Sequence, residues 1–180
     1  INWGDFSERS NRLARNMLDG GAVYGDKVAF YTRNRPEYGE GLVAAFKARL
    51  THVNVNYRYI EQELLYLLDN ADATVCIFSG EFSSRVADIR GQLPKVTQWI
   101  QIDDGYPLLE GAKSYEEYVL EGDGAPLGIE REGLRGDLLV DWQAFDTDGD
   151  GIAGVFHPRL RLVRRISEAE LSRRAPRADA

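Results

Sequence analysis

The apolar run Thr74-Val-Cys-Ile-Phe78 constrains this chain more than any other feature. A strand with one wet face alternates apolar and polar residues, whereas a continuous run marks a strand covered on both faces. Such a strand needs helices on either side, and the residues before it supply them. Pro36 stands at a first helical position, where its missing N–H does no harm, with Glu37 and Glu40 in the turn that favours negative charge. Tyr38, Leu42, Ala45, Phe46 and Arg49 recur at helical spacing and predict one apolar side as far as Phe46. His52-Val-Asn-Val-Asn56 reads as a short strand, with His52–Val55 as its core. Glu61 to Asn70 reads as a second helix whose Leu64, Leu65, Leu67 and Leu68 form a broad stripe. Strands separated by helices of this length require crossovers, so the sheet is largely parallel.

The flanking segments extend the pattern. Asp5-Phe-Ser-Glu8 has the form of a capping box, with Asp5 as acceptor, opening a helix with Phe6, Leu13, Ala14, Met17 and Leu18 on one face. Gly20-Gly21 is a stop, and Val28-Ala-Phe-Tyr31 the first strand. Phe82 to Leu93 predicts a helix ended by Pro94, and Trp99-Ile-Gln-Ile102 a further strand. Ser114-Tyr-Glu-Glu117 is a second capping box, opening a short helix to about Leu120. The expected fold class is therefore α/β: a layered, mostly parallel sheet of about four strands flanked by helices. Residues 1–120 form this unit and residues 121–180 a Gly/Asp-rich then Arg-rich segment. At 180 residues there is material for one domain with a sizeable core.

Charge and composition exclude several classes. A net charge of −7 disfavours nucleic acid as a partner. No apolar run approaches the ~20 residues of a membrane span. A single cysteine, Cys76, cannot form a disulfide framework and lies in the buried run. It reads as a small core hydrophobe in a reducing, cytoplasmic setting. Trp3 and Trp99 read as core or partly buried packing residues, and His52 as structural.

GDKVAFYTRNRPEYGEGLVAAFKARLTHVNVNYRYIEQELLYLLDNADATVCIF, with FSERSNRLARNML before it, resembles the N-terminal region of the adenylate-forming (AMP-binding) superfamily, and within it the bacterial acyl-CoA synthetases. The words NRPEY, AAFKA, VNVNYRY and ELLYLLDNADA carry the resemblance together, over about residues 3–120. It implies a ligase that activates a fatty or related carboxylic acid with ATP and Mg2+ as an acyl-adenylate, then transfers the acyl group to coenzyme A. It also implies a role for Arg58 in VNVNYRY, which matches an arginine that reaches a phosphate of coenzyme A in some relatives. A guanidinium is a permanently charged fork suited to phosphate oxygens. An ion pair of Arg58 with Glu61 or Glu63 accounts for the residue equally well.

The resemblance fades beyond residue 120. The family's phosphate loop, rich in Thr, Ser and Gly and ending near a lysine, should follow the strand expected at Asp137-Leu-Leu-Val140. The chain instead reads Phe145-Asp-Thr-Asp-Gly-Asp-Gly-Ile-Ala-Gly-Val155, and its last lysine is Lys113. His157 to Ala180 holds seven arginines without glycine or aromatic residues. It reads as a solvated or disordered tail, with an amphipathic helix as the alternative. Its composition suggests a truncated gene or a shifted frame of GC-rich DNA. Asp146-Thr-Asp-Gly-Asp-Gly151 matches the first half of a Ca2+ loop, but His157 stands where the bidentate Glu belongs. An Asp/Gly surface turn is the reading preferred, with no metal ligands and no catalytic residues assigned. The expectation is an acyl-CoA synthetase fragment, inactive as it stands and binding none of ATP, Mg2+ or coenzyme A tightly. The alternative is a non-enzymatic α/β interaction module. Apolar surface on the leucine stripe and open strand edges predict self-association.

Overall fold

The computed structural model describes residues 2–128. Asp137–Val140, the Asp146–Gly151 turn and the arginine-rich tail lie outside the described residues. The elements are α1 (Trp3–Asp19), β1 (Lys27–Tyr31), α2 (Pro36–Lys47), β2 (Thr51–Asn54), α3 (Glu61–Asn70), β3 (Ala73–Ser79), α4 (Ser83–Arg90), β4 (Gln98–Ile102), β5 (Lys113–Ser114) and α5 (Tyr115–Leu120). The strands form one sheet in the order β2-β1-β3-β4-β5, parallel at every pairing. The layered parallel α/β fold expected from the sequence is thus the fold observed.

β3 lies in the middle, and Val75, Cys76, Ile77 and Phe78 are fully buried. Alternate side chains face opposite layers. Val28, Phe30, Val75, Ile77 and Ile100 join Leu13, Ala14, Met17, Ala44, Ala45, Tyr115 and Val119 in one core, under α1, α2 and α5. Ala29, Tyr31, Cys76 and Phe78 join Leu64, Leu68, Val86 and Ile89 in the other, under α3 and α4.

Several boundaries differ from the sequence reading, each for a local reason. α1 starts before Asp5, because Asn2 offers the same short acceptor earlier; its Oδ1 accepts from the Asp5 N–H at 2.9 Å. Glu8 pairs with Arg12 one turn along instead of reaching back. Trp3 on that first turn is 86% exposed, so it is not a packing residue, whereas Trp99 is buried.

The buried side of α2 is Glu40, Gly41, Ala44 and Ala45, and Phe46 points to solvent. The cause is close approach. A Cβ on Gly41 would lie 2.3 Å from Phe30 Cε1, so only small residues fit between helix and sheet. Arg49 falls past the helix end with φ 58°, in the left-handed region of a turn. β2 runs Thr51–Asn54, one residue earlier than read, because Lys27 to Phe30 pair with Thr51 to Asn54. α4 closes at Arg90, well before Pro94, and Gln92 and Leu93 then donate three residues back to the Ile89 and Arg90 carbonyls in tighter turns. The short β5 lacks any run that could announce it. It exists because Lys113 and Ser114 pair with Ile100 and Gln101, and Ser114 then caps α5, accepting from the Glu117 N–H at 3.2 Å. In the leucine stripe, Leu64 and Leu68 are buried while Leu65 and Leu67 pack partly buried against the same core. The stripe is broad, but α4 and β3 cover most of it.

Cys76 sits in the centre with no exposure, and burial pushes its thiol pKa up. Replacing it by Asp puts an unpaired charge there at a cost of several kcal/mol, against a typical total stability of ~5–15 kcal/mol. Cys76→Asp is expected to abolish cooperative folding in chemical denaturation, and Cys76→Ala to cost about 1 kcal/mol. Equal midpoints for the two variants would place the residue at the surface.

Candidate functional site

The strand order places a crevice in the sheet. From β1 the chain crosses to β2 on one side, then returns past β1 to β3 on the other. The crossovers at the carboxyl ends of β1 and β3 diverge, and open parallel sheets bind ligands at such a switch point. Thr32 follows β1 and Ser79 ends β3, and their hydroxyls share a buried 2.6 Å hydrogen bond that closes the floor. Gly80 follows. A Cβ there would lie 2.3 Å from Asp104 Oδ1, so the turn admits no side chain.

Charged groups ring this floor. Arg33 donates to Glu81 from Nε at 2.9 Å and from Nη2 at 3.1 Å. Arg35 forks onto Glu37 at 2.8 and 3.1 Å and reaches Asp104 at 3.4 Å. Glu37 is held below the usual carboxylate range: burial works against this, but the hydrogen bond from Arg35 and nearby positive charge prevail. Asp104 Oδ1 is buried with no hydrogen-bond partner among the described residues.

Arg58, the one site residue suggested by the sequence, lies in the loop after β2 and is exposed. Its guanidinium is 5.6 Å from the centre of the Tyr57 ring, and Arg33 is 4.8 Å from the same centre. Arg33 also faces Phe82 at 6.0 Å, and Arg85 faces Phe82 at 5.6 Å. The suggested ion-pair partners of Arg58 are engaged elsewhere: Glu61 faces Arg85 at 3.8 Å, and Glu63 accepts from the Ile60 N–H at 3.1 Å. Arg58 is the site residue the sequence suggests; Arg33 and Tyr57, which the structure places beside it, carry no motif of their own. The available signal was positional, since both stand just beyond the carboxyl end of a parallel strand.

His52 is a packing residue. Its Nε2 shares a 2.8 Å hydrogen bond with the Tyr38 hydroxyl, its ring lies 4.9 Å from Phe30, and burial lowers its pKa. Among the described residues no group of three His, Cys, Asp or Glu could hold a metal ion.

A second charged cluster lies between α1, α2 and α5. Arg9 bridges Glu40 at 2.7 Å and Glu116 at 2.8 Å, and the Tyr115 hydroxyl donates to Glu40 at 3.0 Å. Asp5, Glu8, Arg12 and Pro36 help to line an open cleft of about 540 Å³ above it. The Glu40 side chain is only 1% exposed, so its partners serve the fold.

A parallel sheet between two helical layers, with polar groups at its switch point, places the chain in the three-layer α/β class. The chain belongs to the AMP-binding enzyme family, which matches residues 1–132. It is 40% identical over 134 residues to the medium-chain acyl-CoA ligase Mig of Mycobacterium avium, covering 66% of this chain and 24% of that protein. It is 39% identical over 105 residues to the 3-oxocholest-4-en-26-oate–CoA ligase of Rhodococcus rhodochrous, covering 58% of this chain and 19% of that one. The chain thus spans about a quarter or less of these relatives. Its fold is similar to that of acetoacetyl-CoA synthetase from Streptomyces lividans, with a TM-score of 0.65 and 20% identity over 71% of this chain and 21% of that one. The N-terminal domain of FACL13 from Mycobacterium tuberculosis gives 0.62 and 22%, over 72% of this chain and 31% of that one.

Removing Glu40 would leave Arg9 with Glu116 alone and take a carboxylate acceptor from the buried Tyr115 hydroxyl. Glu40→Ala is expected to cost about 3 kcal/mol in urea unfolding, the lower end for a broken buried pair. A loss within ~0.5 kcal/mol, as for ordinary surface changes, would contradict the network's role.

Proposed function

We propose that this chain is part of an acyl-CoA ligase, acting on a fatty or related carboxylic acid with ATP, Mg2+ and coenzyme A. The observation that carries the reading is the 40% identity to a medium-chain acyl-CoA ligase over 134 residues. Within that reaction the contribution assigned to the described residues is binding. Arg58 meets a phosphate of coenzyme A, supported by its exposure, the Tyr57 ring beneath it and the lack of a carboxylate ion-pair partner among the described residues. Acyl-adenylate formation is assigned to none of them, and the 180-residue chain is proposed to be inactive. The Phe145–Val155 stretch has three aspartates and no lysine, and those charges repel a triphosphate. This composition also keeps open the reading as an interaction module. Self-association is part of the same proposal. Among the described residues the outer edge of β2 has no strand neighbour, and Ile60 and Tyr66 nearby in sequence are 52% and 70% exposed.

The test is a chimera in which residues 2–128 replace the matching segment of the Mig ligase. Acyl-CoA formation by the folded chimera is expected, and a folded chimera without it contradicts the ligase reading. Arg58→Ala in that chimera should raise KM for coenzyme A and leave that for ATP unchanged. A parallel rise in both would remove Arg58 from the coenzyme A site. The 180-residue chain alone should release no AMP from ATP with mixed fatty acids, and should sediment with a concentration-dependent mass.

A further inference from the structure

Five side chains at the switch point alternate cation and ring: Arg58, Tyr57, Arg33, Phe82, Arg85. The successive guanidinium-to-ring distances are 5.6, 4.8, 6.0 and 5.6 Å. The three cations differ in how they are held. Arg85 is tied into the fold. It donates to the Tyr31 hydroxyl at 2.9 Å and to the Tyr59 carbonyl at 3.2 Å, with Glu61 at 3.8 Å. Arg58 is exposed and has no carboxylate ion-pair partner among the described residues. Arg33 is intermediate: its side chain is 57% exposed and its carboxylate partner among the described residues is Glu81.

We propose that Arg33 is a second phosphate-binding residue of the coenzyme A site, held in reserve by Glu81 and handed over when the ligand's phosphate arrives. The proposal rests on the reading that Arg58 meets a coenzyme A phosphate. Both guanidiniums lie over the Tyr57 ring, 5.6 and 4.8 Å from its centre, so a phosphate that reaches Arg58 comes within a Debye length, ~10 Å, of Arg33. An exposed ion pair contributes little because water and salt screen it. A phosphate presents more charge and three acceptor oxygens to the same planar fork, so it displaces the carboxylate readily. Glu81 can release Arg33 without losing its place, because Gly80 and the 3.4 Å contact from the Glu81 N–H to Asp104 fix its backbone. The ring-stacked geometry keeps the Arg33 side chain pre-ordered while it changes partner, which limits the entropy lost on binding. Lysine could not replace it, having neither the fork nor the stacking plane.

The measurement is a titration of the isotope-labelled 180-residue chain with coenzyme A, read from the amide shifts of residues 33, 57, 58 and 81, with ATP as a separate arm. Arg33→Ala and Arg58→Ala are each expected to weaken coenzyme A about tenfold, as loss of a charged hydrogen bond does. Glu81→Gln, which frees Arg33 without changing shape, is expected to tighten it about threefold. A purely structural clip between the ends of β1 and β3 predicts the opposite for Glu81→Gln: lower melting temperature and no gain in affinity. Weakening by Arg58→Ala with no change in Arg33→Ala and Glu81→Gln overturns the role of Arg33 and leaves that of Arg58. No effect of Arg58→Ala, or no shift of the wild-type chain at millimolar coenzyme A, overturns both. ATP shifting these amides as strongly as coenzyme A removes the assignment to coenzyme A.

Discussion

The structure depends on a strand that has no wet face. Every residue from Val75 to Phe78 is removed from water, and each neighbour in the sheet and both helical layers exist to keep it so. Its apolar side chains alone make single-sided packing unstable, since each large one left uncovered forfeits about 1.5–3 kcal/mol. Helices must therefore lie on both faces, and a helix that carries the chain back over a face to the starting end of the sheet makes the next strand parallel. The small-residue face of α2 follows from the same demand. The helix comes so near the sheet that Gly41 meets the Phe30 ring, and a larger residue would lift it away.

The candidate site is a by-product of that architecture. Parallel strands end on the same side, so the loops after β1, β2 and β3 gather there without any contact being needed to draw them together. The buried Thr32–Ser79 hydrogen bond ties two of these ends, and the arginines that follow stand at its rim with aromatic rings between them. Arg33 and Arg85 face Glu81 and Glu61 there, whereas no salt bridge among the described residues includes the exposed Arg58. An exposed guanidinium with no carboxylate in those pairs is the physical basis of the proposed phosphate contact.

The fold was legible because it is written in periodicity. Glu61–Asn70 matches the observed helix residue for residue, and the runs around β1, β3 and β4 differ by a residue or so. Features set by tertiary contact were not legible. Phe46 has the spacing of a core residue, yet the sheet lies on the side of Gly41 and Ala44. Trp3 has the chemistry of a core residue, but an earlier cap at Asn2 carries it onto an exposed first turn. β5 has only two residues and no pattern. At the site, Arg58 stood out only through a family word, while Arg33 and Tyr57 acquire meaning once strand order brings their loops together.

Native-state hydrogen exchange tests the central claim most directly, because it reports which amides open only with the whole domain. Amides of β3, with their neighbours in β1 and β4, are predicted to share one slowest exchange rate and one free energy equal to that of global unfolding. Those of β2 and β5 should open more readily as the sheet's edges. Fast exchange in Val75–Phe78, or protection of β2 exceeding that of β3, would contradict a sheet organised around a doubly buried central strand.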